Sequence, residues 1–228
     1  SLLKLSKRNT IIPSSLVHAN IMVDPDVTST EGGFCNIHKG IFEGSLVAVK
    51  VIRMKKQQLL QAIVTWNQLK HPNVLPFYSV HFWRAFSGSE ELLSLLSPWM
   101  DNGNSMEYLQ RNPKADRFMD VSRGLEYMHG FDPKVIHRDL KGNDILITAT
   151  GSACIADFGL AKICSESDSP MNTSPIYLLD DTGNLYFVAP EAQYSAKVLL
   201  SIASDVYGFG CICYQVCRIV FFVLTLIP

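Results

Sequence analysis

No aspartate or glutamate stands between Glu43 and Glu90. The lysines of that stretch therefore have no carboxylate partner within it. The six cysteines form no C-x-x-C pair, and none has a histidine at zinc spacing. This argues against a zinc ribbon or a dithiol redox site, and for reduced thiols in an intracellular protein. Charge of one sign is also missing. Twenty Lys and Arg against 21 Asp and Glu give a net charge of -1, so no broad nucleic-acid or membrane-binding surface is expected. The opening "SLLKLSKRNTIIPSSL" lacks a small-residue cleavage site and carries basic residues inside its apolar run, which makes it a poor signal peptide. No repeat of 20–50 residues is present.

One long apolar run exists, "GFGCICYQVCRIVFFVLTLI" at 208–227, with Gln215 and Arg218 as its strongly polar members. Its length could span a bilayer. Arg218 near the middle would then cost at least ~2.5 kcal/mol, so a buried helix is the expected reading and a membrane span is not.

The 228 residues are 47% hydrophobic and 18% charged, enough for one large domain or two small lobes, each with a core. "FCNIHKGIFEGSLVAVKVI" (34–52) alternates apolar and polar residues across Glu43-Gly44 and predicts a β-hairpin. Residues 55–70 place Leu59, Ile63, Trp66 and Leu69 at helical spacing, and Pro72 ends that helix. Strand-like runs fill 74–100. A helix is expected over 115–129, short strands and loops over 134–164, and another helix from near 200. A strand-rich first part followed by a helix-rich second part, joined near 100, predicts an α+β protein with a cleft between two lobes. The expected divisions are a lead-in at 1–28, a first lobe at 29–100, a second at 101–217 and an atypical hydrophobic tail at 218–228.

Seven motifs follow one another: "EGGFCNIHKG" (31–40), "VAVKVI" (47–52), "LKHPNVLPF" (69–77), "HRDLKGNDIL" (137–146), "DFG" (157–159), "APE" (189–191) and "SDVYGFG" (204–210). Each is weak alone, but the set in this order is not. From about 26 to 217 the chain resembles a eukaryotic protein kinase catalytic domain of the tyrosine-kinase-like serine/threonine group. The resemblance implies a β-rich N-lobe, a helical C-lobe, and transfer of the ATP γ-phosphate to Ser or Thr of a protein substrate, with ATP and Mg2+ as cofactors and a cytoplasmic location. It implies that Lys50 holds the α- and β-phosphates, that Asp139 accepts the substrate hydroxyl proton, that Lys141 lies near the γ-phosphate and that Asp157 ligates Mg2+. ATP would meet Gly32, Gly33, Ile37, Ala48, Lys50, Ser97, Pro98, Met100 and Leu146, with Ser97 as a small gatekeeper behind the adenine. Arg138 would dock a phosphate carried by the loop at 160–188, for which Ser165, Ser167, Ser169, Thr173 and Ser174 are the acceptors. His137 is expected to be a buried structural histidine rather than a base.

The chain departs from the family pattern in four places. Thr30 and Cys35 replace two of three expected loop glycines, leaving Gly32 with Gly33 beside it. The slot for the helix glutamate that pairs Lys50 holds Ala62, with Gln61 adjacent; Gln61 could offer a neutral hydrogen bond, weaker than a charge-assisted one. Asp144 stands where the family has a metal-binding Asn, while Asn143 lies one place early. Beyond Cys217 the sequence no longer resembles the family, so the C-lobe is expected to lack its last helices, Glu191 its arginine partner, and some apolar surface its cover, open to a protein partner. The reading is an ATP-dependent Ser/Thr phosphotransferase of full or weak activity. The alternatives are a catalytically impaired relative that docks nucleotide or a partner, and a fragment.

Overall fold

The computed structural model describes residues 12–18, 21–31, 35–52, 56–83, 92–113, 115, 117–158, 162–164, 185–193 and 201–226. Two compact units emerge. The first comprises the residues up to Lys70 together with Leu75–Met100; the second comprises His71–Val74 and the chain from Asp101 onward.

The first unit is built on a five-stranded antiparallel sheet. Its strands are β1 (Met22–Glu31), β2 (Cys35–Phe42), β3 (Ser45–Ile52), β4 (Ser79–Trp83) and β5 (Leu92–Pro98), in the order β1-β2-β3-β5-β4. The β2–β3 hairpin turns at Glu43 (φ 49°) and Gly44 (φ 77°), the left-handed pair that matches strand twist across a two-residue loop. β1 begins at Met22, inside the stretch expected to be a lead-in. Before it, Ser14–Leu16 form a 3-10 turn, and Val17 bridges Val80 at the β4 edge.

Alternation sorts the sheet's two faces. Val47, Val49 and Val51 face one way and cluster with Leu96 and Trp83; Ala48 and Lys50 face the other. Helix α1 (Lys56–Gln68) follows, with Leu60, Ala62, Ile63 and Trp66 buried. The Trp66 indole N–H donates to Leu75 O at 2.6 Å, anchoring the turn that Pro72 introduces.

In the second unit α2 (Ser105–Arg111) and α3 (Phe118–His129) precede two small antiparallel pairs. β6 (Lys134–Ile136) pairs with β9 (Lys162–Cys164), and β7 (Ile145–Ile147) with β8 (Ala153–Ile155). α3 starts three residues later than the expected segment. Gly124 lets it lie against the chain at Asn73, since a Cβ there would fall 2.6 Å from Asn73 O. The short α4 (Pro190–Gln193) precedes α5, which runs Ile202–Leu226 without a break at the tail boundary expected after Cys217. Among the described residues no helix is long and apolar enough to cross a membrane.

Candidate active site

In the first unit the register gathers one set of candidates. Lys50 pairs with Ile37 on β2 and Leu95 on β5, and Ala48 pairs with Ser97. Directly opposed residues share a face, so Ile37, Ala48, Lys50 and Ser97 lie on the same side of the sheet. Ser97 is buried. Pro98 ends β5. Beyond it the Trp99 N–H donates to Leu46 O at 3.2 Å, holding the chain against β3 as it runs to Met100. Lys39 Nζ sits 4.9 Å over the Trp99 ring. Ala62 is 1% exposed, so the glutamate slot on α1 holds a buried methyl group. Gly32 and Gly33, and Ser165, Ser167, Ser169, Thr173 and Ser174, lie outside the described residues.

The second unit carries the candidate acid-base and metal groups. "HRDLKGNDIL" leaves β6, forms a 3-10 turn at Gly142–Asp144 and enters β7. Lys141 Nζ lies 3.3 Å from Asp139 Oδ2. Burial raises the Asp139 carboxyl above its ordinary value and the Asp157 charge adds to this, while Lys141 and His137 oppose it. Arg138 (φ 80°) and Asp157 (φ 58°) both hold left-handed backbone. Such conformations cost about 1–3 kcal/mol each and persist where the surroundings enforce them.

At Arg138 the enforcing group is Asp205 on α5. Its carboxylate is 1% exposed and accepts the His137 N–H and the Arg138 N–H, each at 2.8 Å. His129 Nε2 donates to the same carboxylate at 2.9 Å. Three donors on one buried anion offset its desolvation and fix the backbone just before Asp139. Asp205 lies in the "SDVYGFG" motif, where its sequence alone assigns it no role of its own. The available signal was a carboxylate in the first turn of an otherwise apolar helix.

His137 is fully buried. Its Nε2–H donates to Ala156 O at 2.7 Å, and its ring meets Phe158 edge-on at 5.6 Å. The Ala156 N–H in turn donates to Asp144 O at 2.7 Å. One backbone bond therefore ties Asp144 to the residue preceding Asp157. Asp144 is buried and accepts the Lys141 N–H through Oδ2 at 3.1 Å, whereas Asn143 is exposed. The inward carboxylate of the loop is thus Asp144. Leu146, on β7, is half-buried. Among the described residues no three His, Cys, Asp or Glu side chains cluster as a self-sufficient metal site. Mg2+ is characteristically held by one or two carboxylates with phosphate oxygens and water completing the shell, and Asp144 and Asp157 are donors of that kind.

A family model for the protein kinase domain matches residues 30–223. The chain belongs to the protein kinase family. This kinase domain is 32% identical over 200 residues to the L-type lectin-domain containing receptor kinase S.1 of Arabidopsis thaliana, covering 81% of this chain and 28% of that protein. It is 29% identical over 209 residues to a probable LRR receptor-like serine/threonine-protein kinase of the same plant, covering 85% of this chain and 19% of the relative. The chain thus spans less than a third of the length of these curated relatives. The family match accounts for the α+β, two-unit kinase architecture and brings ATP, a divalent metal and a protein substrate as the family's general requirements.

Proposed function

We propose that this chain is a serine/threonine kinase of the tyrosine-kinase-like group that transfers the γ-phosphate of ATP to protein hydroxyls. The observation that carries the reading is the loop in which Asp139 and Lys141 meet at 3.3 Å on a backbone pinned by Asp205. Phosphoryl transfer relies on positioning and charge stabilisation, and this loop supplies both. Asp139 orients the substrate hydroxyl and takes its proton, a role suited to a carboxyl whose pKa burial raises. Lys141 offsets charge at the transferred group. Asp157 and Asp144 hold Mg2+, which supplies charge neutralisation at the phosphates when bound. Lys50 holds the α- and β-phosphates, and Ile37, Ala48, Ser97, Pro98, Met100 and Leu146 receive the rest of the nucleotide. The reading places the protein in the cytoplasm, where ATP and Mg2+ are supplied and its cysteines stay reduced.

A second reading has its own observation. α1 offers Lys50 no carboxylate, and Ala62 is buried where the family has one. A chain that binds nucleotide and acts by docking fits that feature, with Val206, Tyr207 and Tyr214 exposed on α5 as a docking surface.

The test is transfer of labelled γ-phosphate to a generic Ser/Thr substrate by the wild type and Asp139→Asn, alongside ATP binding. The kinase reading expects a loss of about 10^2–10^4-fold in the variant with ATP binding retained. Equal transfer by both would remove Asp139 from its role. ATP binding without transfer by either would favour docking.

A further inference from the structure

The turn that carries Asp144 is reached by a buried hydroxyl from another element. Asn104 caps α2, its Oδ1 accepting the N–H groups of Met106 and Glu107 at 3.0 Å each. Asn104 also bridges Leu146 on β7, and the Ile147 N–H donates to Gly103 O at 2.9 Å. The start of α2 is therefore fixed to β7 through the backbone. From that position Ser105, 5% exposed, donates its Oγ–H to Gly142 O at 2.9 Å. Gly142 opens the 3-10 turn with the ends of Met106 and Gln215 packed against it, since a Cβ would fall 2.8 Å from Met106 Cε and 2.9 Å from Gln215 Oε1. The rest of the turn is short and closed. The Asp144 N–H donates to Lys141 O at 3.0 Å and the Lys141 N–H to Asp144 Oδ2 at 3.1 Å.

Ser105 borders a small, mostly apolar space of about 20 Å3 whose lining includes Tyr108, Leu109, Ile145, Ile147 and Val216, which offers its hydroxyl little beyond Gly142 O. A buried hydroxyl beside an apolar void is accounted for by its bond rather than its size.

We propose that Ser105 is a positioning residue for metal binding: its hydroxyl holds the Gly142 carbonyl and, through the closed turn, the carboxylate of Asp144. The inference rests on the reading of Asp144 as an Mg2+ ligand. Groups that orient a metal ligand commonly tune affinity as strongly as ten- to a hundredfold. Ser105 acts one step further back, so a smaller change of about three- to tenfold is expected.

The experiment is a thermal melt of the full chain with saturating ATP as MgCl2 is titrated, for wild type, Ser105→Ala and Ser105→Thr. ATP alone should raise the melting temperature of all three alike. Half-maximal Mg2+ stabilisation should move about three- to tenfold higher in Ser105→Ala and return toward wild type in Ser105→Thr, which keeps the hydroxyl. If Ser105→Ala does not melt cooperatively, the near-isosteric and weakly donating Ser105→Cys is read in its place. An unchanged Mg2+ midpoint in the variant that lacks the hydroxyl overturns the inference, as does a shift in Ser105→Thr as large as in Ser105→Ala, which would indicate packing. A wild type that responds to ATP but not to Mg2+ overturns the metal role of Asp144 itself, and the inference with it.

Discussion

The two units differ in where their bonded polar groups converge. In the helical unit the buried Asp205 carboxylate collects three donors, Asn73 Nδ2 donates to Ala153 O at 2.9 Å, and Ser105 and Asp144 are bonded into the loop that carries Asp139. In the sheet unit His38 Nδ1, Thr65 Oγ1 and Ser79 Oγ are buried without a hydrogen-bond partner, and α1 presents Ala62 where the family places a carboxylate. Buried side-chain atoms without a bond occur in both units, His137 Nδ1 and Gln215 Oε1 among those of the helical one, so their number does not separate the two. The unit that carries Asp139 directs these bonds to the loop around that residue, while in the unit that carries Lys50 helix α1 contains no carboxylate.

Removing the clamp should break the comparison most severely. Asp205→Ala leaves the buried His137 N–H, the part-buried Arg138 N–H and His129 without their acceptor, and should destabilise by about 3–5 kcal/mol, read as a lower urea midpoint. Near-wild-type stability would show that the loop does not depend on Asp205. Next comes Lys50→Met. With no helix carboxylate to work through, Lys50 contributes its own phosphate contact, a charge-assisted bond of about 1.5–3 kcal/mol or roughly 10–150-fold in kcat/KM. A loss beyond that range would mean that some other group organises Lys50 as fully as a glutamate would.

Smaller effects sharpen the contrast. Burial lowers the His38 pKa, and its ring stacks on Trp83 at 4.7 Å. The folded state then binds fewer protons than the unfolded one below about pH 6.5, so this stability is fully present above that pH and declines as pH falls. Melts between pH 7.5 and 5.5 should show the decline in wild type and a shallower one in His38→Phe; identical slopes would remove His38 as its source. The smallest effect is chemical. Burial, with the Asp120 charge adding to it, pushes the Cys154 thiol up to about 11, while Cys217 is exposed. Brief alkylation at pH 8 should label Cys217 and spare Cys154 in the folded chain, as peptide mass analysis would report.

Local signals carried much of the fold. The β2–β3 hairpin, α1 and the order of motifs follow from alternation, helical spacing and turn chemistry, all of which act within a few residues. That Lys50, Ala48, Ile37 and Ser97 share one face follows from the β2–β3 and β3–β5 registers, of which the turn at Glu43-Gly44 announces only the first. Asp205 could not be assigned its role in that way, since its partners His137 and Arg138 lie 68 and 67 residues earlier and nothing in the spacing announces the pairing. Ser105 was silent for the same reason, being bonded 37 residues away. The division drawn at 217 followed the end of the recognisable motifs, whereas the family model matches to 223 and α5 continues because its residues remain mostly apolar and free of proline through Leu226.

The most direct measurement is the rate of γ-phosphate transfer by wild type, Lys50→Met and Asp139→Asn, assayed side by side at saturating Mg2+. The account predicts measurable transfer by the wild type, a partial loss in Lys50→Met and a larger loss in Asp139→Asn. No transfer by a folded, ATP-binding wild type, or a Lys50→Met loss exceeding that of Asp139→Asn, would contradict it.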